Sequence, residues 1–185
     1  MFIQTEQTPN PETLKFIPGK EVLASGTAEF KDAQSAARSP LGVRLFTVEG
    51  VVGVFLGADF IAVTKGAEKE WQILKPSILG AIMEHYASGE PLLREASQGE
   101  GENEERSAES PIEAQIRELI DTRVRPAVAQ DGGDIVFESY EDGIVYLQMR
   151  GACSGCPSST MTLKAGIENM LKHYIPEIQE VRAVA

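Results

Sequence analysis

The only two cysteines of the chain, Cys153 and Cys156, are the residues whose type and spacing most directly suggest chemistry. Two residues separate them in the stretch GACSGCPSST, and Pro157 directly follows the second one. Thiols at this spacing can form a disulfide, supply half of a four-ligand metal site, or pack as small apolar side chains. The sequence around them has to decide between these three roles.

The cysteines fall between the end of a predicted strand and the start of a predicted helix. Pro157 suits the first helical position, which places Cys156 at or next to the N-cap, near the positive end of the helix dipole. Such a position lowers the pKa of a thiol and favours the thiolate, the form that binds metal or attacks a disulfide. Gly151 and Gly155 remove side chains from around the sulfur atoms, so we expect the loop to hold negative charge.

A dithiol–disulfide redox pair is one interpretation of this loop. Against it, the motif lacks the Cys-Gly-Pro-Cys form, and the flanking elements do not read as a thioredoxin-like βαβ unit. Simple packing of two thiols is a weaker interpretation, because structural cysteines rarely occur as a glycine-spaced pair at the start of a helix.

Metal or cluster binding is the third interpretation. Tetrahedral zinc and the common iron–sulfur clusters take four protein ligands, often four thiolates. The chain has two cysteines, and its only histidines are His85, in the other half of the chain, and His173, deep in the following helix. One chain therefore cannot complete such a site, but a symmetric dimer with its two CxxC loops face to face supplies four thiolates.

The charge and hydropathy of the chain exclude several classes of partner. The formal net charge is −11, which argues against binding to nucleic acid or to an anionic membrane surface. No apolar run is long enough to predict a membrane-spanning helix. The N-terminus has no secretory signal and is too poor in Arg for an organellar presequence. We therefore expect the bacterial cytoplasm, or the mitochondrial matrix if the chain is a processed form.

An acidic stretch divides the chain into two folded parts. Residues 96–110 contain five Glu against one Arg and no large apolar residue, so this segment cannot offset its ordering entropy and should stay extended. The sequence therefore predicts a first domain over residues 1–94, a flexible acidic linker over 95–110 and a second domain over 111–185.

The first domain reads as strands followed by one long helix. Residues 70–89 follow a helical period, and Pro76 is expected to kink this helix or to mark the first turn of its main part. The periodic apolar residues are predicted to be core rather than partner-binding: Trp71, Leu74, Ile78, Ile82 and Tyr86. Four β-rich runs are predicted strands, the last two forming a hairpin: residues 2–6, 13–19, 51–57 and 59–65.

The second domain reads as helix, strand, strand, CxxC loop, helix and strand. Ser110 and Glu113 form a capping-box pattern, with Pro111 at the first helical position. Pro126 is expected to bend or end this helix, and Arg125 to shape the helix end together with it. The sequence Glu141-Asp142-Gly143 between the two strands favours a hairpin turn.

The stretch QDGGD, residues 130–134, is expected to be a tight turn in which both glycines take positive φ. Its functional alternative is metal ligation by Asp131 and Asp134, for which nothing else in the sequence argues. The elements together predict an α+β fold: two small α/β-sandwich-like domains joined by a flexible acidic linker.

Three stretches of the second domain carry a family resemblance. RPAVAQDGGDIVF, GIVYLQMRGACSGCPSS and TLKAGIENM resemble the NifU C-terminal domain of Nfu-type iron–sulfur scaffold and carrier proteins. The similarity covers about residues 111–185 and includes the whole GxCxxCPSS motif. The start of the chain, FIQTEQTPNPETLKFIPG, is similar to the N-terminal domain that accompanies it in this family.

The resemblance implies a non-enzymatic protein of iron–sulfur cluster assembly. It implies a [4Fe-4S] cluster bound by Cys153 and Cys156 of each of two subunits, and therefore a homodimer when loaded with the cluster. It also implies delivery of the cluster to apo iron–sulfur client proteins by thiolate exchange, with upstream assembly factors as further partners. The N-terminal domain is expected to recognise clients or assembly partners, and neither nucleic acid nor a membrane is expected as a partner.

Two alternatives stay beside this interpretation. A thiol–disulfide oxidoreductase would use the same cysteine pair in a monomer and would show a depressed thiol pKa. A zinc-bridged adaptor dimer would hold half a zinc ion per chain and would have no visible chromophore.

Overall fold

The structure is a computed structural model of the chain. It describes residues 1–94, 110–154 and 157–184, the side chains of residues 157–159 excepted. Nearly all of the predicted acidic linker therefore lies outside the described residues. No helix within the described ranges is both long and apolar enough to cross a bilayer.

The chain divides into two compact units, unit 1 (Met1–Gly101) and unit 2 (Glu102–Ala185). Each unit combines helices with one β-sheet and has its own apolar core. The predicted α+β class, with two small domains of packed helix and sheet, is confirmed.

Unit 1 contains a five-stranded antiparallel sheet: β1 (Gln4–Gln7), β2 (Thr13–Ile17), β3 (Ala28–Phe30), β4 (Val51–Leu56) and β5 (Ile61–Lys65). The strands lie in the order β1-β2-β5-β4-β3. The predicted hairpin is confirmed as β4 and β5, whose pairing ends with Leu56 opposite Ile61. The edge strand β3 was not predicted, because three residues are too few to show an alternating pattern.

The helices of unit 1 are a short 3-10 helix and two α-helices: Ser35–Arg38, α1 (Pro40–Phe46) and α2 (Trp71–Ser88). We predicted α2, but no element before it in residues 20–50. Ser39 caps α1, since its Oγ accepts a hydrogen bond from the Gly42 N–H (3.0 Å) and donates one to the Leu92 carbonyl (2.6 Å). Pro76 lies in the second turn of α2, so this helix begins before the proline.

The core of unit 1 joins apolar residues of α1 and α2 with those of the strands. Its largest fully buried side chains are Phe16, Phe30, Leu41, Leu45, Leu56, Ile61, Ile78 and Ile82. Burying one such side chain contributes roughly 1.5–3 kcal/mol. Of the residues predicted as core, Trp71 and Tyr86 are half-buried against this cluster, and the Trp71 Nε1–H donates to the Pro11 carbonyl (3.0 Å).

His85 is a buried polar residue of α2. Within the described part of the chain, its Nδ1 and the hydroxyl of Tyr86 are buried without a hydrogen-bond partner. Burial lowers the pKa of His85 below its ordinary value of 6.5, and the positive charge of Arg44 lowers it further, while Glu90 opposes both. The imidazole is therefore neutral in the folded unit at neutral pH.

Lowering the pH below about 6.5 is expected to destabilise unit 1 through His85. The unfolded chain binds a proton near its ordinary pKa of about 6.5 and the folded unit only at a lower pH, so stability is lost between these two values. The free energy of unfolding changes by at most about 1.4 kcal/mol per pH unit for one such group. Fluorescence of Trp71, the only tryptophan, follows unfolding of unit 1 across this range.

The control for this prediction is the second histidine. His85→Phe should flatten the acid side of the profile, because phenylalanine keeps a ring at the site but binds no proton. His173→Gln, at an exposed position of unit 2, should leave the profile unchanged. Identical profiles for the wild type and His85→Phe would show that His85 carries no proton linkage.

Unit 2 contains three strands and three α-helices: β6 (Gly133–Glu141), β7 (Ile144–Gly151), β8 (Glu180–Val184), α3 (Pro111–Leu119), α4 (Arg125–Gln130) and α5 (Pro157–Tyr174). The strand order is β6-β7-β8. β6 and β7 are antiparallel, whereas β8 is parallel to β7 because α5 lies in the connection between them. The predicted order of elements is confirmed.

The start of α3 and the turn of the hairpin follow the sequence prediction. Ser110 Oγ accepts a hydrogen bond from the Glu113 N–H (3.3 Å), and Glu113 Oε2 accepts one from the Ser110 N–H (2.8 Å), which completes the capping box. Between β6 and β7, Asp142 (φ 49°) and Gly143 (φ 81°) are both left-handed, as a tight hairpin turn requires. A register shift between Phe137 and Ser139 then places Gly133 opposite Gly151 at the other end of the hairpin.

A wide π-helical turn, Ile120–Val124, joins α3 to α4. The N–H of Arg125 donates to the carbonyl of Ile120, five residues back instead of four. Pro126 follows and has no N–H, so the helix lacks a regular bond at this place and forms the wider turn. Of the two outcomes expected for Pro126, a bend or an end of the helix, the end is wrong, because the chain continues as α4 to Gln130.

Candidate functional site

Cys153 lies two residues beyond the end of β7, in a tight loop. Gly151 has a φ of 64° and turns the chain away from the strand. The N–H of Ala152 donates to the Gly132 carbonyl (3.1 Å), and Ser154 donates to the Gly151 carbonyl from its N–H (3.1 Å) and its hydroxyl (2.9 Å). These hydrogen bonds hold the backbone that carries the Cys153 thiol.

Cys153 is 7% exposed and belongs to the apolar core of unit 2. The Thr160 hydroxyl donates to the Cys153 carbonyl (3.1 Å) and ties the loop to the first turn of α5. As predicted, Pro157 is the first residue of α5. Gly155 and Cys156 lie outside the described residues, so the N-cap position of Cys156 stays a prediction.

Gly133, the first residue of β6, leaves the space that the Cys153 sulfur occupies. A Cβ at this position would overlap Cys153 Sγ and would lie 2.9 Å from the Arg150 carbonyl oxygen and 3.0 Å from the Cys153 nitrogen. We expected positive φ for both glycines of the QDGGD stretch, and this holds for Gly132 (78°) but is wrong for Gly133. Gly133 is required by the lack of space rather than by its backbone conformation.

Asp134 is buried and paired within its own unit. Its carboxylate accepts hydrogen bonds from Arg125 Nε and Nη2, both at 2.9 Å, and from the N–H of Ile135 (2.9 Å). Arg125 also donates to Asp121 (3.2 Å). The bidentate pair joins α4 to β6, so Arg125 serves as the cation for a buried carboxylate, and metal ligation by Asp134 gains no support.

In the absence of a bound cation, Cys153 is a neutral thiol. Burial raises the pKa of Cys153 to about 12, with smaller contributions in the same direction from the negative charges of Asp131 and Asp134. The lowered thiol pKa that we expected at the start of α5 concerns Cys156, which lies outside the described residues, so it stays a prediction, whereas the pKa of Cys153 is raised. The reason is that a thiolate in the core would lose its hydration. A bound metal reverses the balance, because a coordinated thiol is deprotonated.

Neither histidine lies with Cys153. His173 is exposed in the last turn of α5, where its ring packs edge-to-face with Tyr174, and His85 is buried in the core of unit 1. Across the ranges that the structure describes, no three His, Cys, Asp or Glu side chains are grouped so that they could hold a metal ion. Among the described residues, the site therefore provides one thiol, that of Cys153.

Two features of the site were missed at the level of sequence, the space provided by Gly133 and the Arg125–Asp134 pair. The stretch GGDIVF contained a signal for both. An Asp that begins a buried strand needs a cationic partner, because an unpaired buried charge is strongly unfavourable. A second glycine that already lies in the strand has no turn to serve, which points to a close contact above it.

Two family models match the chain. The one described as "Scaffold protein Nfu/NifU N terminal" covers residues 3–89, and the one described as "NifU-like domain" covers residues 116–182. The chain is also similar to the mitochondrial NFU1 iron-sulfur cluster scaffold homolog of Homo sapiens, with 52% identity over 186 residues that cover 100% of this chain and 72% of that protein. The corresponding protein of Drosophila sechellia is 51% identical over 185 residues, which cover 100% of this chain and 65% of the fly protein.

Two solved structures align with parts of this chain. The solution NMR structure of a NifU-like protein from Saccharomyces cerevisiae has a TM-score of 0.47 and 27% identity, and covers 52% of this chain and 87% of its own. The crystal structure of a Staphylococcus aureus protein has a TM-score of 0.40 and 23% identity, and covers 44% of this chain and 99% of its own.

Proposed function

This chain belongs to the Nfu family of iron–sulfur cluster scaffold proteins, and we propose that it carries a [4Fe-4S] cluster between two copies of itself, on Cys153 and Cys156 of each copy. The cluster is the cargo, assembled at this site and passed to apo-proteins by exchange of thiolate ligands. The observation that carries the proposal is the placement of Cys153, whose backbone is held by hydrogen bonds between the end of β7 and the first turn of α5.

The number of ligands supports a shared site. A [4Fe-4S] cluster takes four thiolates, and each chain contains two cysteines. Among the described side chains, no group of three or more His, Cys, Asp or Glu that could hold a metal ion includes Cys153. Two copies related by a two-fold axis supply the four thiolates, and a cluster held between subunits is accessible to the thiols of an acceptor.

The burial of Cys153 gives this carrier a proton-coupled site. Iron binding requires the thiolate, so loading displaces a proton from a thiol whose pKa is about 12. The cluster therefore competes with a proton for this sulfur at neutral pH. When an acceptor removes the cluster, Cys153 binds a proton again and returns to its favoured neutral form. The raised pKa therefore limits the affinity of Cys153 for the cluster and assists its release.

The remaining parts of the proposal concern partners and place of action. Unit 1, which contains the predicted domain of residues 1–94, recognises apo client proteins or upstream assembly factors. No turnover of a small substrate is part of this function. The site works in a reducing compartment, the bacterial cytoplasm or the mitochondrial matrix, where both thiols stay available for the cluster.

A thiol–disulfide oxidoreductase is the alternative that uses the same residues. It requires an attacking thiolate near neutral pH. Cys153 does not meet this requirement in the metal-free chain, because its pKa is about 12. The buried sulfur thus favours metal ligation over nucleophilic attack by this cysteine.

Anaerobic reconstitution with iron and sulfide tests the proposal. We expect about four irons per dimer, a cubane signal in the Mössbauer spectrum and a dimeric mass by light scattering. Cys153→Ser and Cys156→Ser should each lose the cluster, because serine offers no thiolate. Ser139→Ala, at a half-buried position of β6 in the same unit, is the control, since it keeps both thiols and the hydrogen bonds around Cys153 and should retain the cluster.

Other outcomes would point to the alternatives. An iron-free wild-type monomer whose disulfide cycles with a dithiol reagent would support the oxidoreductase and overturn the carrier. Half a zinc ion per chain without a visible chromophore, in protein kept anaerobic throughout, would support the adaptor. For the transfer step, loaded protein should restore an apo [4Fe-4S] acceptor faster than the same amount of free iron and sulfide does.

A further inference from the structure

One face of α5 is exposed and uncharged where it adjoins the CxxC loop. We name it the α5 face; its exposed positions are Met161, Thr162, Ala165, Gly166 and Asn169. Met161 is 73% exposed, the highest value for a large apolar side chain among the described residues of unit 2. The exposed side of a helix in a soluble domain is normally covered with charged residues, so this face departs from the pattern.

The charged residues of the same segment, Lys164, Glu168 and Lys172, form a row four residues apart along one edge of the α5 face. Glu168 forms an ion pair with Lys172 (2.7 Å) and accepts a hydrogen bond from the Val181 N–H of β8 (3.1 Å). Lys164 is half-buried. Charged residues are therefore present in this part of α5, but none of them lies on the α5 face.

Gly166 adds a second observation. A Cβ at this position would meet no atom of the described chain within 4 Å, and its φ is not in the left-handed region. Glycine disfavours a helix relative to alanine, so neither packing within the chain nor backbone conformation accounts for this residue. A missing side chain on an exposed helix does allow another backbone to approach closely.

The position of the α5 face relative to the cysteines identifies what covers it. α5 begins directly after Cys156, and Met161 lies four residues, about 6 Å along the helix axis, from its first residue Pro157. In a dimer that shares one cluster, both CxxC loops lie at the two-fold axis, so the first turns of the two α5 helices lie beside it. Surfaces at such an axis meet their own copies, where any charge faces a like charge.

We propose that in the loaded dimer the α5 faces of the two copies pack against each other, with Met161 as the apolar anchor that keeps water from the shared cluster. This inference rests on the proposed function. A chain of net charge −11 repels its copy, and an uncharged face at the axis is the surface on which two such chains can approach. The second copy is therefore the occupant, and the site is incomplete without it.

Met161→Glu in the full chain tests the inference. Two glutamates at the axis should weaken the loaded dimer at least tenfold, measured by sedimentation under anaerobic conditions, and should speed iron release to a ferrous chelator by a similar factor. Met161→Leu should retain wild-type behaviour. Ile73→Glu in unit 1 is the matched control, because Ile73 is 74% exposed and the substitution adds the same charge. Far-UV circular dichroism of the apo-proteins shows whether all variants are folded.

The outcomes distinguish the α5 interface from the cluster-carrier function on which it rests. Wild-type dimerisation and iron release in Met161→Glu would overturn the α5 interface and leave the cluster carrier intact. Equal losses in Met161→Glu and Ile73→Glu would also overturn it, since the effect would then be one of net charge. If Met161→Glu slowed only transfer to an apo acceptor, the face would dock the acceptor and the inference would be wrong. A wild type that binds no cluster would instead refute the proposed function.

Discussion

Replacing Gly133 with alanine is expected to destabilise unit 2 and to displace the Cys153 sulfur. The new methyl group would overlap Sγ and press against the Arg150 carbonyl and the Cys153 nitrogen, and neither backbone atom can move without shifting β7 or the loop. Overpacking of this kind costs about 1–3 kcal/mol. Denaturant unfolding followed by far-UV circular dichroism measures the loss, and Trp71 fluorescence, which reports on unit 1, should stay unchanged.

Gly166→Ala is the matched control for this prediction. It makes the same chemical change in the same unit, but at a helical position with no atom within 4 Å of the added Cβ. Alanine should stabilise the apo-protein there by about 0.4–1 kcal/mol. Gly133→Ala should also lower the iron content after reconstitution, which a loss of stability alone does not require in protein that is still folded. Equal stability changes at the two glycines would show that Cys153 moves freely away from Gly133.

Removing the Asp134 carboxylate is expected to have the second large effect. The side chain is 4% exposed and holds Arg125, which is 29% exposed, in a bidentate pair. Breaking a buried pair costs about 3–5 kcal/mol, and we expect Asp134→Ala to lie near 3 kcal/mol because the remaining guanidinium still contacts water and Asp121. Chemical denaturation of unit 2 by circular dichroism gives the value.

Asp121 provides an internal comparison, because it contacts the same guanidinium from an exposed position. Its side chain is 48% exposed, and Asp121→Ala should cost less than about 1 kcal/mol. Salt should reduce the Asp121 effect and leave the Asp134 effect nearly unchanged, since buried pairs are poorly screened. A double-mutant cycle with Arg125→Met isolates the coupling, and a coupling near zero for Asp134 would contradict the prediction.

Much of unit 2 could be predicted because its signals are local. The capping box needs only Ser110 and Glu113, and the hairpin needs only the left-handed Asp142 and Gly143 between two apolar runs. The strand–loop–helix setting of Cys153 follows from the same local rules. In unit 1, the Ser39–Pro40 pair is an equally local signal for the start of α1. This helix has only seven residues, however, which are too few to show a helical period in the sequence.

The properties that depend on tertiary contacts could not be predicted. Nothing near Cys153 in sequence shows that its sulfur lies in the core beside Gly133, 20 positions earlier in the chain. The helix dipole is an argument about Cys156 that the sequence allows, whereas the burial that decides the pKa of Cys153 is a tertiary property. Pro126 likewise allowed either a bend or an end of the helix, and its neighbours in sequence do not show that α4 continues and is joined to β6 by Arg125 and Asp134.

The wide turn between α3 and α4 explains an unusual spacing of core residues. Four buried residues lie at intervals of four: Ile116, Ile120, Val124 and Val128. In a regular α-helix each interval overshoots a full circle by about 40°, so the last of them would lie about 120° around the helix from the first. The turn Ile120–Val124 takes more residues per circle and rotates the row back towards the core.

The length of this segment can consequently change in one direction only. The π turn is equivalent to one residue inserted into a regular helix, and residues 121–123 within it are all exposed. Loss of one residue from the turn would leave a regular helix in which the four core residues recur at intervals of four, three and four, so all four would still face the core. One further residue would instead rotate α4 by about 100°, moving Val128 out of the core and Arg125 away from Asp134 at the same time.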